Sequence, residues 1–99
     1  MKQVYLDNAA TTPLAKEVAD AMIPVLTDVF GNPSSSHATG RKAKALIETA
    51  RRDIARQLGC EPRSIIFTSG GTEADNLALR TAVKDLGCER IITSPAEHS

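Results

Sequence analysis

The residues best suited to chemistry lie in Phe67-Thr68-Ser69-Gly70-Gly71-Thr72-Glu73-Ala74-Asp75-Asn76, where a short apolar run breaks into two glycines and opens into a helical pattern. A strand-to-helix turn leaves the first helical N–H groups without carbonyl partners and aims them, with the positive end of the helix dipole, at one point in space. That point suits an anion, most often a phosphate. Two glycines let the backbone turn sharply and approach a ligand, and Thr72 adds a hydroxyl donor beside the amides. The plainer reading of the same residues is a helix cap, with Ser69 or Thr72 capping and the glycines serving only the turn. A P-loop is excluded, because no Lys-Ser or Lys-Thr follows the glycines.

The elements that must hold this turn can be read from periodicity. Ser64 to Thr68 predicts a strand, since Ile65, Ile66 and Phe67 are β-branched or aromatic and turn residues follow at once. From Thr72 onward, Ala74, Leu77, Ala78, Ala82 and Leu86 fall at helical spacing. Gly87 ends that pattern, and Arg90-Ile91-Ile92-Thr93 predicts another strand before Ser94-Pro95-Ala96-Glu97-His98-Ser99. Strand, helix, strand in succession favours an α/β fold with an open, mostly parallel sheet and helical crossovers. Parallel strands point their carboxyl ends the same way, so the Gly71-Thr72 turn and His98 are expected at one edge of the sheet.

Upstream, Val4-Tyr5-Leu6 predicts a brief strand, ended by Asp7-Asn8-Ala9-Ala10-Thr11-Thr12-Pro13. Thr12-Pro13 can cap and begin a helix with Val18, Met22, Leu26 and Val29 as its apolar stripe, and Pro24 is expected to kink or break it near Met22 or Ile23. Gly31-Asn32-Pro33-Ser34-Ser35-Ser36-His37 is a polar loop that either caps the next helix or reaches a ligand. A helix from about Ala38 to Leu58 follows, with Ala43, Leu46, Ile47, Ala50, Ile54 and Leu58 on one face. Arg41, Lys44, Glu48, Arg51 and Arg52 make a solvated face opposite.

Ninety-nine residues make at most one domain. Twelve basic and twelve acidic residues cancel, so no net field favours nucleic acid or acidic lipid, and three aromatics form no stacking platform. No apolar run approaches the ~18 residues that cross a membrane, and no signal-peptide core is present. Cys60 and Cys88 lie far apart, without a Cys-x-x-Cys pair or a His at metal-ligand spacing. Reduced thiols and a cytoplasmic location are the expectation, with no metal site.

Four collinear stretches carry a resemblance: Tyr5-Leu6-Asp7-Asn8-Ala9-Ala10-Thr11-Thr12-Pro13, Phe30-Gly31-Asn32-Pro33-Ser34-Ser35-Ser36-His37, Phe67 to Ala78, and Thr93-Ser94-Pro95-Ala96-Glu97-His98. Together they resemble the N-terminal portion of cysteine desulfurases of the NifS/IscS-type group, within the class V aminotransferase family. The resemblance implies a fold-type-I enzyme that uses pyridoxal 5′-phosphate (PLP), usually as a homodimer. Its reaction converts L-cysteine to L-alanine and hands sulfur to an enzyme cysteine as a persulfide, from which a sulfur-acceptor protein is supplied, as in iron–sulfur cluster assembly. Position by position, Gly71 and Thr72 match residues that bind the cofactor phosphate. His98 matches the histidine that stacks on the pyridine ring and takes part in proton transfer. The segments Asn8 to Thr12 and Asn32 to His37 match family segments around the active site.

The same resemblance implies what is missing. The lysine that anchors the cofactor, the aspartate that pairs with its ring nitrogen and the sulfur-accepting cysteine have no counterpart in this chain. Lys2, Lys16, Lys42, Lys44 and Lys84 match no anchoring position and are expected to be surface charges. Residues 1–14 are accordingly expected to be an N-terminal active-site segment and 15–99 the helices and start of a PLP-binding large domain. In the family, strands encoded later lie between the two strands predicted here. The chain is thus expected to be a fragment with exposed apolar faces and no turnover alone. The rival functions are a selenocysteine lyase or other class V PLP enzyme, and a non-enzymatic phosphate-binding or subunit-docking module.

Overall fold

The computed structural model describes residues 1–97. Three α-helices form: α1 (Lys16–Asp28), α2 (Ala38–Leu58) and α3 (Gly71–Lys84), with a 3₁₀ turn at Pro62–Ser64. The chain divides into two units, Met1–Pro62 and Arg63–Ser99.

In the first unit, α2 spans the helix expected from its periodicity. Its ends follow from local chemistry. His37, extended at φ −77° and ψ 169°, caps the start by accepting a hydrogen bond at Nδ1 from the Gly40 amide at 3.4 Å. Gly59 ends the helix in the left-handed region at φ 68°. The Cys60 amide then reaches the Ala55 carbonyl at 3.0 Å and the Gly59 amide the Arg56 carbonyl at 3.3 Å, the paired bonds of a Schellman motif. The polar loop before α2 folds onto its first turn. Asn32 takes the Ser34 amide on its Oδ1 at 2.9 Å and the Ser35 amide on its carbonyl at 3.0 Å, and Arg41 donates to the Ser36 carbonyl.

Helix α1 differs from expectation at its start, and at Pro24 the break, one of the two outcomes expected there, does not occur. It begins at Lys16 rather than at Thr12-Pro13, with Ala15 extended as its N-cap and no side-chain cap. The Thr11 hydroxyl is engaged with the Tyr5 hydroxyl at 2.6 Å, and the Ala10 and Thr11 amides both close on the Asp7 carbonyl. The extended dihedrals that a following proline favours at Thr12 suit an extended lead-in as well as a cap, and the chain takes the lead-in. The helix also continues through Pro24 instead of breaking. Proline removes only the donor that would meet the Asp20 carbonyl. Past it, the Thr27 hydroxyl lies 3.2 Å from the Ile23 carbonyl and 3.3 Å from that of Pro24. A Lys16–Asp20 ion pair at 2.6 Å joins side chains 82% and 57% exposed. Asp20→Asn is therefore expected to move the unfolding free energy by no more than about 0.5 kcal/mol, read from urea midpoints.

Helices α1 and α2 face each other across a cleft of about 390 Å³ lined by Pro24, Val25 and Val29 on one side and Ala45, Leu46 and Thr49 on the other. Among the described residues, the buried hydrophobic residues are both alanines, Ala43 and Ala55. The large members of the expected core face of α2 stay open, Leu58 at 69% exposure and Leu46 at 43%.

The strands are the main correction. Val4–Leu6, Ser64–Thr68 and Arg90–Thr93 form no strand, and no strand occurs among the described residues. The α/β expectation of a mostly parallel sheet is thus not met within this chain, whose regular structure is helical. The physical reason is that β propensity reports how well a residue fits a paired, half-buried surface. A sheet exists only where a neighbouring strand meets the backbone N–H and C=O groups in a repeating ladder, and no such ladder forms among the described residues. Ile66 and Ile92 are 67% and 90% exposed.

In the second unit, α3 begins at Gly71 and closes with the Asp85 and Leu86 amides on the Thr81 carbonyl. The Cys88 amide reaches the Ala82 carbonyl at 2.9 Å around Gly87, whose φ of 70° lets the chain reverse. Cys60 and Cys88 are both free and exposed.

Candidate functional site

The turn into α3 is assembled by side chains that grip it from outside. The Thr68 hydroxyl donates to the Gly70 carbonyl at 3.1 Å, and Asn76 Nδ2 donates to the Thr72 carbonyl at 2.8 Å. Glu73 Oε2 accepts two bonds from Ser69, from its amide at 2.8 Å and its hydroxyl at 2.6 Å. The first intrahelical bond runs from the Ala74 amide to the Gly70 carbonyl at 3.1 Å. The amides of Gly71, Thr72 and Glu73 precede it and have no acceptor within the helix.

The expected cap by Ser69 or Thr72 is not formed. Gly70 is the N-cap, extended at φ 166° and ψ −177°, and no side-chain cap bond is formed there among the described residues. A Cβ placed on Gly70 or on Gly71 would meet nothing within 4 Å, so the approach to the first turn is open. Gly71 and Thr72 are both exposed, as the first two residues of α3. The arrangement offers outward-facing amides, a helix N-terminus and a threonine hydroxyl to an anion.

Glu73 is the one residue of this turn that spacing left without a role. A glutamate at the third helical position commonly reaches back to the N-cap amide. Here it reaches one residue farther, to Ser69, so the signal was its distance from the helix start, not its partner. The Ser69 hydroxyl first and the Ser69 amide second hold its carboxyl below the ordinary glutamate range. A lowered folded-state value means that the Ser69–Glu73 link is fully present above the usual carboxylate range and is lost as pH falls through the lowered value.

His98 lies outside the described residues. Thr93 and Glu97 line a cleft of about 430 Å³ together with Asp75, Ala78 and Leu79 of α3. A turn shapes that segment, with the Glu97 amide on the Ser94 carbonyl at 3.2 Å and the Ala96 amide on Ser94 Oγ at 3.1 Å. Asn8, Thr11, and Asn32 to His37 belong to the first unit, where the Asn32–His37 loop caps α2. No group of three or more His, Cys, Asp and Glu side chains that could hold a metal occurs among the described residues.

The sequence model of the aminotransferase class-V family matches residues 4–99. The chain belongs to that family. Among its relatives, the chain is 52% identical over 99 residues to cysteine desulfurase IscS of Dictyoglomus turgidum, covering 98% of this chain and 25% of that protein. It is 50% identical over 101 residues to putative cysteine desulfurase IscS 1 of Bacillus subtilis, covering 99% of this chain and 26% of the relative. Selenocysteine lyase of Bos taurus is 51% identical over 83 residues, covering 84% and 19% respectively. The class V chain thus spans about a quarter or less of the length of these relatives, and its likeness to the cysteine desulfurases is to their N-terminal part. Among the described residues, no helix is long and apolar enough to cross a membrane.

Proposed function

We propose that this chain is the N-terminal part of a PLP-dependent cysteine desulfurase. The observation that carries the reading is the identity of about one residue in two with proteins of that name along nearly the whole chain, 52% over 98% of it in one case. The turn into α3 fits the phosphate of such a cofactor: its first amides are uncapped by any side chain and its glycines leave the approach clear. In this reading the amides of Gly71 and Thr72 and the Thr72 hydroxyl bind the phosphate. PLP, when bound, supplies the electron sink for bond cleavage at the amino acid. In the same reading His98, by its match to the family's ring-stacking histidine, would lie against the cofactor and would handle a proton there, work suited to an imidazole.

The overall conversion is L-cysteine plus an enzyme thiol to L-alanine plus an enzyme persulfide. The carbon–sulfur bond of the substrate breaks and a sulfur–sulfur bond forms on a cysteine of the whole protein. That protein is read as a cytoplasmic homodimer that passes sulfur to an acceptor protein. The lysine and cysteine this reaction needs are assigned to parts of the protein beyond this segment.

A borohydride test separates the segment from the whole. After incubation with PLP and reduction, the whole protein is expected to carry one labelled lysine and to release alanine from cysteine. The 99-residue chain alone is expected to do neither. Stoichiometric labelling and alanine release by the short chain would sink the reading.

A second reading, selenocysteine lyase, is favoured by the 51% identity to the bovine enzyme. It predicts that the whole protein turns over selenocysteine and leaves cysteine essentially untouched. Comparable or faster release of alanine from cysteine rules it out.

A further inference from the structure

We propose that Glu73 is a positioning residue for phosphate recognition: by holding Ser69 from the far side of the cap, it fixes the Ser69–Thr72 turn while leaving the first amides of α3 open. The inference rests on the proposed PLP function, whose phosphate contacts are Gly71 and Thr72. Both donors of Ser69 converge on one oxygen of Glu73, at 2.8 Å and 2.6 Å, which defines the backbone direction at the residue just before Gly70.

Two consequences follow from where that carboxylate sits. Gly70 and Gly71 have no side chains, and added Cβ atoms would touch nothing, so side-chain packing does not hold this stretch in place. Its geometry depends on hydrogen bonds, and Glu73 makes two of them. An acidic group in the first turn could also satisfy the helix start itself. Because Oε2 is engaged on Ser69, and no side-chain cap bond is formed at α3 among the described residues, the amides of Gly71 and Thr72 stay available to an outside anion. Thr68 and Asn76 brace the Gly70 and Thr72 carbonyls, and the Glu73 link to Ser69 acts one residue ahead of them, at the entry into the turn.

Glu73→Ala and Glu73→Gln in the whole protein test this with two readouts: hydrogen exchange at the Ser69 amide without ligand, and affinities for PLP and for pyridoxal, which lacks the phosphate. Glutamine keeps an acceptor oxygen for Ser69 and removes the charge; alanine removes both. Glu73→Ala is expected to speed Ser69 exchange and to weaken PLP about fivefold, the worth of a typical hydrogen bond, with pyridoxal unchanged. Glu73→Gln is expected to stay within about twofold of wild type for PLP, with Ser69 still protected. Wild-type PLP affinity in Glu73→Ala, equal losses of PLP and pyridoxal, or unchanged Ser69 exchange would each overturn the proposal. Wild-type protein that binds PLP no better than pyridoxal would instead remove the phosphate-site reading, and this inference with it, whatever the Ser69 exchange shows.

Discussion

Gly40→Ala is expected to lower stability by about 1–3 kcal/mol, although on helix propensity alone alanine should raise it by about 1 kcal/mol. Gly40 is buried in the first turn of α2, under the loop that caps it. A Cβ there would lie 2.5 Å from the carbonyl oxygens of both Asn32 and Ser35 and 2.7 Å from the Ser35 Cβ. The two closest atoms belong to backbone, so no flexible side chain can move aside. The loop must shift, and the shift opposes the Asn32 turn and the His37 cap, whose donor is the Gly40 amide itself. Overpacking therefore outweighs propensity. Denaturant midpoints of the whole protein, with far-UV circular dichroism of the 99-residue chain, measure it, and a stabilised Gly40→Ala protein would contradict the packing described for this loop. Gly71→Ala is the matched control: with open space around it, the propensity gain is unopposed, and the substitution is expected to leave stability unchanged or to raise it by up to about 1 kcal/mol.

Thr72→Val in the whole protein is expected to weaken PLP about 10- to 100-fold and to leave pyridoxal binding unchanged. Valine keeps the branched shape and removes only the hydroxyl. A hydrogen bond to a charged group is worth about 1.5–3 kcal/mol, and each 1.4 kcal/mol is about tenfold in affinity. The side chain is exposed at the start of α3, so the fold itself should move little. Absorbance titrations with the two vitamers measure the effect. A variant that loses PLP and pyridoxal in parallel, or neither, would show that the start of α3 is not where the phosphate binds.

Legibility in the sequence tracked how local each determinant was. The bounds of α2 could be read because its periodicity runs over many turns and its end is set by Gly59, a residue suited to a positive φ. The start of α1 could not, because a Thr-Pro pair permits both a helix start and an extended lead-in. The engagement of Thr11 with Tyr5 is a longer-range contact that spacing does not reveal. Ile65, Ile66 and Phe67 have the composition of a strand, yet a strand is a property of two segments joined in a ladder, and no ladder forms among the described residues. At the site, the open helix start with Gly71 and Thr72 was visible in the Gly-Gly-Thr pattern. The partner of Glu73 was not, since it lies on the N-terminal side of the cap.

The loop ahead of α2 carries one more chemical consequence. With Nδ1 of His37 taking the Gly40 amide, the neutral ring must hold its proton on Nε2. The outer nitrogen of that imidazole is thereby set as a donor: it can hand a hydrogen bond to a carboxylate or carbonyl, and only a rearranged first turn would let it accept one.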